Sequence, residues 1–176
     1  MTYHDTIKPI IIRRSMKQQE TNPDSLIENY LPADYYDSFS KELHNKNAIS
    51  TDEFADIAFN QLPSWIIRLL KVRNSIVKPF GLNTNRRITD MECERNQHEI
   101  IFGMSDKHLT FYVSLWCKVS ETNSQTLRIT TIVKYHNRLG KLYFFVIRPF
   151  HKVIIRSLLE RVGKRYKLIS LEREAS

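Results

Sequence analysis

The chain has 176 residues, with 27 Lys and Arg against 19 Asp and Glu, for a net charge of +8. A single domain of this length buries a real core, and its two cysteines, Cys93 and Cys117, are too few for a disulfide framework and lack metal-ligand spacing, so both read as reduced, buried thiols. The run Ile10-Ile11-Ile12 ends at Arg13-Arg14, too short for a secretory core, which implies a cytoplasmic address, and no apolar run approaches the ~20 residues of a membrane span.

Residues 1–24 are polar and irregular, closed by the turn signal Asn22-Pro23-Asp24, and read as an arm. The domain proper is expected over 25–170, with 171–176 as a tail. A strand is predicted over Leu31 to Leu43, with Tyr35, Phe39 and Leu43 on one side. Ser50 followed by Glu53 has capping-box spacing, opening a helix with Phe54, Ile57 and Ala58 as its apolar stripe. Pro63 suits the first turn of a second helix. There Trp65, Ile66, Leu69, Leu70, Val72, Ile76 and Val77 recur at helical spacing as core residues, and Pro79 with Gly81 is the stop.

After Gly81 the period changes to alternation. Short strands are predicted near Ile88 to Arg95 and His98 to Met104, with Ser105-Asp106-Lys107 as the turn into a long partner. In that partner Leu109, Phe111, Val113, Leu115, Cys117 and Val119 alternate with more polar residues. The loop Ser120 to Gln125 leads into a last strand bearing Leu127, Ile129, Thr131 and Val133. Consecutive strands joined by short turns make an antiparallel sheet.

Asn137 is a natural N-cap for the long basic helix that follows. At about 100° per residue, Arg138, Lys141, Arg148, Lys152 and Arg156 fall in one arc, and Leu139, Tyr143, Ile147, Phe150 and Ile154 in the opposite one. Pro149 removes one backbone hydrogen bond, so a kink or two tandem helices are expected. The charge continues through Arg161, Lys164, Arg165 and Lys167, where it also complements a helix C-terminus. Because the excess positive charge concentrates on this one helix, and no nucleic-acid motif accompanies it, a solvated face is favoured over specific nucleic-acid binding. Peripheral contact with anionic lipid remains an alternative use of the same face.

Strand, two helices, antiparallel meander and closing helix is the order of an α+β helix-grip domain. The segments Ala33-Asp34-Tyr35-Tyr36-Asp37-Ser38-Phe39, Pro63-Ser64-Trp65 through Phe80-Gly81-Leu82, Asp106-Lys107-His108-Leu109, His136-Asn137-Arg138-Leu139-Gly140 and Arg148-Pro149-Phe150-His151 resemble the bacterial family catalogued as domain of unknown function 2867, over about residues 30 to 165. The resemblance implies a fold like that of START-related lipid-transfer domains, polyketide cyclases and pollen-allergen-like proteins, in which an antiparallel sheet grips a C-terminal helix around an apolar cavity. Some relatives carry a dinucleotide-binding domain as well. This chain has four glycines and no glycine-rich fingerprint, so a nicotinamide role is not expected.

Catalytic candidates are sparse. His108, His136 and His151 have no Asp or Glu at metal-ligand spacing, and His136 beside Asn137 reads first as a local hydrogen-bonding device. Asp34 and Asp37 would need burial and a facing substrate to act as acid or base. The leading expectation is therefore a non-catalytic module, without cofactor or metal, that binds a small hydrophobic or amphipathic ligand between sheet and helix. Its lining would come from Phe111, Val113, Leu115, Ile129, Thr131, Val133, Tyr143, Ile147 and Phe150, with His136 or His108 as a polar contact. A packed core is the competing reading of the same residues. The alternatives are a cyclase- or hydratase-like enzyme using a cavity His or Asp, and an interaction protein docking through the basic helix.

Overall fold

Alternating side chains commit residues 92–135 to strands whose apolar faces demand a cover, and the helices on either side of this stretch supply it. The computed structural model describes residues 8–10, 25–44, 48–60, 62–77, 91–120 and 124–174. The expected turn at Asn22 to Asp24, the helix stop at Pro79 and Gly81 and the strand start at Ile88 lie outside the described residues.

The elements are β1 (Lys8–Ile10), a 3-10 turn (Leu26–Tyr30), β2 (Tyr35–His44), α1 (Thr51–Phe59), α2 (Ser64–Val77), β3 (Glu92–Arg95), β4 (Glu99–Ser105), β5 (Leu109–Val119), β6 (Ser124–Tyr135) and α3 (Arg138–Glu174). All pairings are antiparallel, in the order β1-β2-β6-β5-β4-β3. Strands β3 to β6 form the expected meander. The first strand of the domain, β2, crosses back to pair with β6, placing Asp37 opposite Thr131 and Phe39 opposite Ile129. The arm is not wholly irregular, since Lys8 to Ile10 pair with Ser38 to Ser40 at the β2 edge.

One face of the sheet carries the main core. Phe39, Phe102, Val113, Leu115, Cys117, Leu127 and Ile129 meet Phe54, Ile57 and Ala58 of α1, Ile66 of α2, and Ile155, Leu158, Leu159 and Val162 of α3. Ser50 and Glu53 form the predicted capping box at the start of α1. On the opposite face, Ile27 packs with Ile101 and Ile132. Glu99 is fully buried there and accepts from the Leu26 and Ile27 amides and from the Ser25 and Ser114 hydroxyls. It satisfies the free donors at the start of the 3-10 turn.

Several expectations need correction. Among the described side chains of α2 only Ile66 is fully buried; Trp65 and Val72 are exposed, because this helix touches the core at its edge, and the expected core residues Ile76 and Val77 lie outside the described side chains. Cys93 is exposed, sitting at a register shift between β3 and β4, whereas Cys117 is buried. Helix α3 is one continuous helix through Pro149, not two, and it extends to Glu174. Pro149 lies on an exposed side of α3, where water can solvate the backbone carbonyl that a proline leaves without a donor. Leu139 is exposed rather than packed with Tyr143.

Candidate functional site

Where β6 ends and α3 begins, the backbone is clamped by short-range polar contacts. Asn137 caps α3, its side-chain oxygen accepting from the Gly140 amide at 3.0 Å, while its amide group donates to the Lys107 carbonyl at 2.9 Å. The His136 amide donates to the His108 carbonyl, and the His136 ring pairs with the Thr110 hydroxyl at 2.9 Å. The His108 ring lies 3.3 Å from the Asn137 side chain. Both histidines therefore serve the junction between the β4–β5 turn and the helix. Asp34 is likewise occupied, accepting from the Tyr135 amide.

Beyond this clamp the first turns of α3 diverge from the β2 edge and leave a groove of about 1130 Å³. Its strand side comprises Ala33 to Asp37, Phe39 and the β6 end at Tyr135 to Asn137; its helix side carries Arg138, Lys141, Leu142, Phe144, Phe145, Arg148 and Lys152. The rings of Tyr35, Tyr135 and Phe144 form one cluster, with Phe144 4.6 Å from Tyr35 and 6.0 Å from Tyr135. The Arg148 guanidinium lies 5.1 Å over the Tyr35 ring, a cation–π contact. Among the described residues no carboxylate pairs with Arg138, Lys141 or Lys152.

Asp37 is the acidic group at the inner end. It is only 6% exposed, accepts from the Tyr35 hydroxyl, and stands 3.5 Å from the His151 ring nitrogen Nε2. Burial, and then the negative Asp37, push the Tyr35 hydroxyl well above the usual phenol range. Three neighbouring buried atoms, Asp37 Oδ1, Thr131 Oγ1 and His151 Nε2, have no hydrogen-bond partner. Asp37 Oδ1 and His151 Nε2 are each other's 3.5 Å contact, and of these three residues only Asp37 lines the groove.

Of the ten residues expected to line a cavity, His136 borders this groove. Val113, Leu115 and Ile129 are in the main core with Phe111 packed on it. Val133 and Tyr143 form a second cluster flanked by Ile147. Thr131 sits beside Asp37, and Phe150 is half-buried on α3. The pairing of Asp37 with His151 escaped sequence reading, although the segments holding them were both singled out. Their 114-residue separation in sequence offers no local signal, and only the β2–β6 crossover brings them together.

No curated protein and no solved structure matches the chain. A family model does, across residues 30–158, which holds both the clamp and the groove. By that match the chain belongs to the family described as Protein of unknown function (DUF2867).

Proposed function

We propose that this protein binds a small amphipathic molecule bearing an anionic group, in the groove between the start of α3 and the β2 edge. The observation that carries the reading is the pairing, in one groove, of an aromatic wall at Tyr35, Tyr135 and Phe144 with cations that have no carboxylate partner. Ligand sites of this kind combine apolar lining with a few fixed polar groups. The antiparallel sheet with its C-terminal helix supports a helix-grip reading of the fold, with the ligand displaced from the sheet–helix interior toward the helix start.

Anilinonaphthalene sulfonate, an amphipathic anion whose fluorescence rises on transfer out of water, is a suitable probe. Reversing Arg148 and Lys152 to Glu should weaken its binding by tenfold or more, since a charge-assisted hydrogen bond contributes roughly 1.5–3 kcal/mol. Unchanged affinity in a variant with wild-type circular dichroism would reject the groove as the site.

A second reading rests on Asp37. A buried carboxyl beside an imidazole, next to a ligand groove, suits proton transfer in a cyclase- or hydratase-like reaction. Under it, Asp37→Asn keeps probe affinity within a few fold but loses any conversion that the wild-type protein performs on unsaturated or hydroxylated acids.

A further inference from the structure

Helix α3 has an apolar arc that the fold does not bury. Leu139, Leu142, Val146, Pro149 and Val153 succeed one another at steps of three or four residues, so they share one side of the helix. Leu142 is 53% exposed and Val153 50%. Over roughly 21 Å of helix, this is more contiguous apolar surface than isolated exposed side chains account for. The neighbouring arc carries Arg138, Lys141, Arg148, Lys152 and Arg156, and within α3 no Asp or Glu occurs before Glu160.

We propose that this side of α3 docks on an anionic lipid bilayer, with its axis along the surface. The apolar arc would enter the headgroup–acyl boundary while the cations meet lipid phosphates and carboxylates, the arrangement by which amphipathic helices bind an interface. No helix among the described residues is long and apolar enough to cross a membrane, so α3 lies on the bilayer. Charge complementarity selects an anionic surface, and the apolar arc selects lipid over nucleic acid, which would engage the cations but leave Leu139, Val146 and Val153 in water. The cations Arg138, Lys141, Arg148 and Lys152 are shared with the groove, whereas Leu139, Val146 and Val153 do not line it, so substitutions at those apolar positions test the bilayer contact separately.

The test is co-sedimentation of the full chain with vesicles of phosphatidylcholine alone and of phosphatidylcholine mixed with phosphatidylserine, together with the variant Val146→Asp/Val153→Asp. Both sites are at the surface, and circular dichroism with anilinonaphthalene sulfonate binding verifies that variant's fold. Expected is binding to the mixed vesicles only, weakened by salt, and a loss of at least tenfold in the variant although every cation remains. Equal binding to both vesicles, or a variant that binds as the wild type does, overturns the proposal. So does a stable homodimer that the two substitutions dissociate, because a second copy would then be the cover.

Discussion

Gly140 lies where the first turn of α3 crosses the His108 carbonyl, and a Cβ placed there would fall well inside van der Waals contact of that oxygen. The carbonyl is held in place by accepting from the His136 amide at 2.9 Å. An ordinary helix-interior Gly→Ala gains about 1 kcal/mol; here the overlap should reverse the sign, making Gly140→Ala destabilising by about 2 kcal/mol in urea unfolding. Gly163 provides the contrast, because its added Cβ meets the flexible Lys41 stem rather than backbone, and its substitution should cost less. Equal effects at the two positions would contradict this account. The cysteines separate in a similar way. Burial pushes the Cys117 thiol up to about 11, so at pH 8 iodoacetamide should modify exposed Cys93 in the native protein and reach Cys117 only after unfolding.

At the scale of elements, legibility followed the strength of the local period. Strands β5 and β6 alternate apolar and more polar side chains, so their core-facing positions, Leu109 through Cys117 and Leu127 through Val133, were readable without tertiary information, although the central part of each strand is buried on both faces. The Ser50–Glu53 box and the Asn137 cap were equally visible, because capping is a matter of spacing along the chain. Helix α2 misled for the opposite reason. Its Trp65 and Val72 have the spacing of a core stripe, but how much of a helix is covered depends on where it docks. Helix α3 is subtler still. It has a buried face, a basic arc and an exposed apolar arc, and a division into one wet and one dry side merges the two apolar surfaces, placing Leu139 with Tyr143. The groove was illegible because it arises from the angle at which α3 leaves the sheet, and so was the site at its inner end, where Asp37 meets His151 across the β2–α3 contact.

For the molecule as a whole, the tyrosines around β2 couple the two sheet faces to pH. Tyr35 lies on the groove side and Tyr36 packs with the Ile27 cluster on the other, while Tyr30 donates to Glu94 from the 3-10 turn. Burial is the main cause that raises all three above the ordinary value of 10.0, Tyr30 and Tyr36 to about 12 and Tyr35 further. Nearby carboxylates add to the shift. A raised phenol pKa means that the folded chain keeps protons the unfolded chain releases, so the stabilisation is complete below the unfolded value near pH 10 and is lost as pH rises toward the folded values. The urea midpoint should therefore show no tyrosine-linked fall between pH 7 and 9 and should decline steeply once pH passes 10. Tyrosinate absorbance would provide the independent check. Native protein should develop less of it at pH 11 than the same chain in urea, and Tyr36→Phe should flatten part of the alkaline decline. If native and unfolded chains ionise together, burial at these positions is not holding the hydroxyls protonated, and the packing of the β2 start between the two sheet faces would have to be looser than the structure has it.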